Sequence, residues 1–476
     1  MSESYKKRDT EEVVEEQTLV KETNGTRIVA KASESMRLSP GWKRTNKSDD
    51  ESNGKDGVLD HNDLDLNPPN DRMKFLYVTM VLHGIGVLMP WNMFLNANEY
   101  FQDVKLKDNL YFKSNYMFYL TLTAQLPNLF FNWFNVFFST GGDIGKRIVW
   151  GLVVEAVIFL FTIGMAMADT ENQTTLFFWV TMGSVFLLNT ANGIYQNSIY
   201  GMAAKLPGKY TGAIVLGSNL SGIIATIIGM ITRGITKNYT SAAIYYFITA
   251  LFVILACIDT YFSLPLNKYF RYHERLEKKQ QIKTEISSRK EKIPFLMIIK
   301  QCWLQLLCVF LLFFVTLTIF PGIQMNILRQ EDSTFFIDSK KYVNFMCFLS
   351  FNITAFLGSL LATLVQWPSK KYLIVPISLR LLYIPAFMFF CNYAPPDFVR
   401  HLPILYHNDW VYAILSLTMG FSSGYFSSLA MMNCGKCVEP RYATVAGKLA
   451  GAALSSGIFA GILTSMGIQK VMFSPK

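Results

Sequence analysis

Charged residues are scarce in this 476-residue chain: Asp, Glu, Lys and Arg make up 16% of it, against about 25% in an ordinary soluble domain. The shortage is uneven. Residues 1–72 hold 16 of the 34 acids and 12 of the 44 bases, so the other 404 residues share 18 acids and 32 bases. A soluble chain of this length would split into two or three domains, each with a charged surface, and that organisation is excluded. Histidine is rare too: His61, His83, His273, His401 and His407 are the five, and no two stand at a metal-ligand spacing. The seven cysteines are scattered, most inside apolar runs, which excludes a disulfide scaffold. Cys434-x-x-Cys437 lacks a second pair or a nearby histidine and reads as two reduced thiols. There is no nucleotide-binding loop of the Walker type and no nucleophile elbow. Neither an enzyme nor a protein with a metal or cofactor is expected.

What the chain has instead is apolar length. A helix needs about 20 mostly apolar residues to cross a bilayer. Runs of that kind lie at 75–98, 114–139, 148–168, 176–200, 211–232, 242–264, 296–322, 342–365, 372–391, 409–432 and 444–467. The fold class is therefore an all-α polytopic membrane protein of eleven transmembrane helices, with lipid around it. Residues 1–72 are expected to be a disordered cytosolic tail, rich in Glu, Asp, Lys, Ser and Asn. No apolar h-region precedes Lys74, so no cleavable signal peptide is expected. Six spans occupy 73–265, a basic loop 266–294, five spans 295–470, and 471–476 form a short terminus.

Orientation follows from the central loop. Asn267–Ile293 carries nine bases against four acids, which marks it as cytosolic. The tail then lies inside, and the C-terminus outside. The sequons headed by Asn172 and Asn238 fall on outer loops in this arrangement and are expected glycosylation sites. Passage through the secretory route fits the plasma membrane as the destination.

Polar side chains inside spans face a bundle interior or a cavity. Asn128, Asn132 and Asn135 share one helical face, and so do Asn189, Asn192 and Gln196. Each amide alone is as well read as glue between helices; two stripes together point to a polar path. Span one adds His83, Trp91, Asn92 and Asn96. Charges within spans are few: Glu155, Asp259, Arg380, and Lys448, which is placed to snorkel to the membrane surface. No arginine series suggests voltage sensing. Amides among aromatics suit an uncharged, planar, hydrogen-bonding solute.

The segment Gly84–Phe101, GIGVLMPWNMFLNANEYF, resembles the opening span of the equilibrative nucleoside transporter family (solute carrier family 29). The likeness continues at Gln125–Asn128 (QLPN), at Gln196–Pro207 followed by Tyr210-Thr211-Gly212-Ala213, and at Phe320-Pro321, Phe351-Asn352, Leu357-Gly358, Trp367-Pro368, Asp409-Trp410, Gly424-Tyr425 and Ala446-Gly447. It spans roughly residues 73–470.

The resemblance implies a 6+5 pseudo-symmetric bundle of the major facilitator type, one helix short in its second half. It implies a monomer that moves nucleosides or nucleobases down a gradient by alternating access, and no nucleic-acid partner. It places Trp91, Asn92 and Leu95 of span one at the substrate cavity, with Leu120, Gln125 and Asn128 of span two, Gln196 of span four, and Phe320 and Pro321 of span seven. Span eight departs from the pattern. An aspartate and an arginine expected after Phe-Asn are Ala355 and Ser359 here. Because both charges are gone, neither is left buried and unpaired. The sugar then falls to Asn352, Thr354 and Ser359, or the substrate is a nucleobase or another uncharged heterocycle. A carrier of organic cations, a proton-linked carrier with Glu155 as its acid, and a non-transporting receptor or scaffold are the competing readings.

Overall fold

In a computed structural model of the chain, the described residues are 69–138, 144–170, 173–236, 238–276, 294–330, 335–390, 398–405 and 408–475. The expected tail up to residue 68, the sequon at Asn172 and most of the central basic loop lie outside them. By contact the chain falls into two units, one made of Asp71–Asn267 with Ile293–Lys476, the other of Met1–Asn70 with Lys268–Lys292. In the second unit the described residues 268–276 are helical, and Tyr269 meets His273 one turn on, ring centroids 4.6 Å apart.

The first unit is a helical bundle. Its helices are α1 (Phe75–Asn96), α2 (Leu110–Phe137), α3 (Ile144–Met167), α4 (Thr174–Ala203), α5 (Gly208–Ile235) and α6 (Tyr239–Ser263). After the central loop come α7 (Phe295–Ile319), α8 (Ser350–Leu364, preceded by a wider-wound segment Asn344–Leu349), α9, α10 (Asp409–Gly435) and α11 (Ala443–Met472). Helix α9 is interrupted: Ile374–Leu379 passes through a tight turn at Arg380–Leu382 into Tyr383–Phe390.

Eight helices among the described residues are long and apolar enough to cross a membrane. Helix α9 is apolar but short. Helices α2 and α10 have the length, 28 and 27 residues, and are diluted by the amides and serines that turn out to sit at interfaces.

Asp71 starts the bundle, two residues before the expected boundary. Its carboxylate accepts hydrogen bonds from the Leu76 and Tyr77 backbone amides at 3.1 and 3.2 Å, capping α1. It also accepts from Tyr210 Oη of α5 at 3.2 Å and from Asn267 Nδ2 after α6 at 3.1 Å. At the other terminus α11 runs to Met472, five residues past the expected span and two past the expected end of the second bundle. Phe473–Pro475 (β2) then pairs antiparallel with Phe398–Arg400 (β1), and the His401 amide donates to the Met472 carbonyl at 2.8 Å.

The packing repeats with a shift of six helices. Helix α1 packs on α5 as α7 packs on α11, and α2 packs on α4 as α8 packs on α10. Between the halves, α2 and α4 meet α11 as α8 and α10 meet α5. This is the 6+5 arrangement with the partner of α6 missing. Close approach depends on missing side chains. A Cβ at Gly424 would overlap the Ala355 carbonyl, and one at Gly358 the Phe421 carbonyl, so α8 and α10 touch backbone to backbone.

Two intramembrane cations are buried. Arg380 donates to the Met419 carbonyl at 3.1 Å, to Thr316 Oγ1 at 2.8 Å and to Ser422 Oγ, knitting α9 to α7 and α10. Lys448 does not snorkel as expected: it is 6% exposed. Gly201 of α4 leaves room for its stem, since a Cβ there would stand 3.0 Å from Lys448 Cγ.

Candidate functional site

Helices α2 and α4 bring Asn132 of one amide stripe to Gln196 of the other, and α11 closes over them, while Asn192 of the α4 stripe faces α1, its Nδ2 donating to the Val87 carbonyl at 3.1 Å. Asn132 Nδ2 donates to the Asn128 carbonyl at 2.9 Å and to Asn128 Oδ1 at 3.0 Å, and lies 3.4 Å from Gln196 Oε1. Ser455 Oγ of α11 donates to Asn128 Oδ1 at 3.1 Å. Asn197 Nδ2 reaches the Lys448 carbonyl at 2.8 Å, and Trp133 Nε1 reaches Ser456 Oγ at 2.9 Å. One turn away, Asn135 Nδ2 bonds the Ile194 carbonyl and Ser198 Oγ, while Arg147 donates to its Oδ1 at 3.0 Å.

Part of this amide set is unspent. Asn132 Oδ1, Asn192 Oδ1 and Asn197 Oδ1 are buried without a hydrogen-bond partner among the described residues. A buried acceptor left unpaired is costly, and three of them call for donors: N–H or O–H groups of a solute, or water.

A second polar line crosses α1, α5 and α8. Asn92 Nδ2 donates to Ser221 Oγ at 3.0 Å. The next residue, Gly222, faces α8, and a Cβ there would overlap the amide oxygen of Asn352. Asn352 Nδ2 is used within its own helix, on the Phe348 carbonyl at 2.8 Å. Thr354 Oγ1 likewise bonds the Ser350 and Phe351 carbonyls. Ser359 is fully buried: its hydroxyl accepts from Asn219 Nδ2 at 2.7 Å and donates to the Gly424 carbonyl at 3.1 Å. The hydroxyl and amide donors of the three expected sugar readers are thus engaged by protein in this state.

Phe320 stacks on Phe351, centroids 4.1 Å apart and planes 13° apart, with Pro321 half-buried beside it. Leu95, Leu120 and Ala355 are buried, and Trp91 and Gln125 half-buried. The structure therefore joins Asn128 to Gln196, sets Asn92 and Asn352 on either side of α5, and joins Phe320 to the turn holding Asn352. Among the described residues, Trp91 and Gln125 stand outside these hydrogen-bonded sets. Sequence reasoning passed over Ser221 and Ser455 as partners. The one available signal was their helical spacing from glycine, Ser455 four residues past Gly451 and Ser221 four past Gly217.

Deeper in the first half, His83 Nδ1 lies 2.8 Å from Tyr195 Oη, which also donates to the His83 carbonyl at 3.1 Å. Glu155 is fully buried nearby, with neither carboxyl oxygen bonded among the described residues. No cluster of His, Cys, Asp or Glu able to hold a metal occurs among the described residues.

Comparison with known proteins gives three results. Residues 182–470, more than half of the chain, match the family model described as nucleoside transporter. Equilibrative nucleoside transporter 2 of Rattus norvegicus is 29% identical over 454 residues, covering 83% of this chain and 97% of that protein. Equilibrative nucleoside transporter 1 of Homo sapiens is 27% identical with the same coverage. In fold, the chain is similar to a major facilitator superfamily proton:xylose symporter solved with 6-bromo-6-deoxy-D-glucose. The TM-score is 0.57 at 11% identity, over 84% of this chain and 90% of that one.

Proposed function

Because the chain belongs to the nucleoside transporter family, we propose that it carries nucleosides or nucleobases across a membrane by facilitated, alternating access. The observation that carries this reading is the buried amide set of Asn128, Asn132 and Gln196, placed where the two halves of the bundle meet and leaving Asn132 Oδ1 unpaired among the described residues. Nucleosides supply what such a set lacks: base N–H and ribose O–H donors on a planar, uncharged body. Aromatic faces at Trp91 and at the Phe320–Phe351 stack suit the ring. Movement of one half against the other exposes the set to each side in turn. With the tail inside, the α4–α5 and α10–α11 connections, with Lys205, Lys209 at the start of α5, Lys436 and Arg441, face the cytosol. We place the working protein in the plasma membrane as a monomer.

Uptake of labelled uridine, adenosine and adenine in cells without their own nucleoside transport tests the reading. Saturable uptake of at least one, unaffected by imposed voltage, is expected. A surface-located protein that takes up none would end it. A second reading, a proton-linked or organic-cation carrier, is favoured by Glu155 alone; uptake that follows an imposed pH gradient and loses that dependence in Glu155→Gln would select it.

Orientation has its own test at Asn238. This residue is exposed at the start of α6, where its Oδ1 accepts from the Thr240 amide at 2.9 Å. A glycosidase-sensitive mobility shift that Asn238→Gln reduces is expected if that end is extracellular. A shift unchanged in both Asn238→Gln and Asn172→Gln would argue for the reverse topology.

A further inference from the structure

Helix α5 belongs to the first half and α8 to the second, and where they cross, a short chain of hydrogen bonds passes from one to the other. Asn219 Nδ2 donates to Ser359 Oγ at 2.7 Å, and Ser359 Oγ donates to the Gly424 carbonyl of α10 at 3.1 Å. Three residues on, Gly222 opens space for the Asn352 amide. The crossing lies just short of the middle of α5, Asn219 being the twelfth of its 28 residues, and close to the end of α8 at Leu364, on the side of the α4–α5 and α10–α11 loops. That same end is shut elsewhere. A Cβ on Gly447 would come within 2.6 Å of Ala204 Cβ and of the Tyr200 carbonyl, and one on Gly208 within 2.9 Å of Lys436 Cε. Under the six-helix shift, the α5–α8 crossing corresponds to α11–α2, where Ser455 bonds Asn128 and Ser456 bonds Trp133. Two related polar fastenings therefore span the two halves.

We infer that Asn219, Ser359 and the Gly424 carbonyl form a latch holding this end of the bundle closed, and that Ser359 serves closure instead of contacting substrate. The inference rests on the transport reading for its purpose, though its geometry stands apart from it. Charged groups at these positions would have to be desolvated together; a neutral amide and hydroxyl open and close with little electrostatic penalty. The latch is weak by design of its chemistry, since hydrogen bonds between helices in a membrane average about one RT. Losing it changes an open–closed equilibrium by about threefold.

The double variant Asn219→Cys with Ser359→Cys tests it. Under mild oxidation the pair is expected to cross-link, and uptake to fall to background and return with reductant, while the uptake of each single cysteine variant does not respond to oxidant or reductant. Cross-linked protein that transports at the uncross-linked rate, or a pair that never cross-links, overturns the latch. Ser359→Ala gives a second, substrate-free measurement. Cys437, half-buried on the α10–α11 loop, is expected to label about threefold more with maleimide in opened membranes, with KM little changed. Unchanged labelling with KM raised about tenfold or more would make Ser359 a substrate group and reject the latch. Labelling needs no substrate. A wild-type protein that transports nothing tested would therefore sink the transport reading and leave the latch to its own result.

Discussion

Gln196→Ala is expected to lose most nucleoside uptake while reaching the cell surface in normal amount. Gln196 is 4% exposed and belongs to the amide set that α2, α4 and α11 assemble. Truncating it removes the group set opposite Asn132 Nδ2 and a hydrogen-bonding edge for the base. Leaving buried polar groups without partners costs about 1–3 kcal/mol, which is about 5- to 150-fold in kcat/KM. Surface biotinylation with initial-rate uptake separates a site effect from misfolding. Equal kcat/KM in wild type and variant, at equal surface protein, would remove Gln196 from the site.

Gly424→Ala is expected to damage the fold itself. The added methyl has no flexible side chain to push aside: it meets the carbonyl of Ala355, whose helix is held against α10 through the reciprocal contact at Gly358. Helices α8 and α10 must separate along their common face, and overpacking of this kind costs about 1–3 kcal/mol or more. Gly183→Ala is the control, in the interior of α4 with nothing within 4 Å of an added Cβ. The expected result is a clear drop in melting temperature in detergent for Gly424→Ala and none for Gly183→Ala. Equal melting temperatures would mean that α8 and α10 do not touch backbone to backbone at Gly424.

Much of this architecture is legible in the sequence because a bilayer imposes a simple rule. Each crossing must supply about 20 apolar residues and satisfy its own backbone, so spans stand out one by one. The amide stripes of α2 and α4 were readable for the same reason, since three- and four-residue spacing fixes a helical face whatever it packs against. Partners across the bundle were not. Asn128 meets Ser455 across 327 positions of sequence, and nothing in a single helix says which other helix it will face. Serine is a poor signal in any case, because it is able to return its hydroxyl to its own helix, as Ser455 also does to the Gly451 carbonyl. Lys448 misled for a related reason. Near a helix end a lysine is read as reaching for water, and only the bare Gly201 on another helix makes room to bury it. The break in α9 lies just before Pro385, which lacks the N–H that would continue the helical ladder, while the hydrogen-bond partners of Arg380 on α7 and α10 were beyond the reach of the sequence.

Helix α11 bears on how the protein is made. It leaves the ribosome after the ten helices before it, yet it carries Ser455 for Asn128, Ser456 for Trp133 and a backbone carbonyl for Asn197. Until it inserts, the first half waits in lipid with those amides and that indole unmatched, and the latter half lacks the helix against which α7 packs. The polar groups of the first half are therefore matched only once α11 has inserted. A nonsense codon or frameshift between α10 and α11 would leave Asn128, Trp133 and Asn197 of the first half without these partners in the membrane.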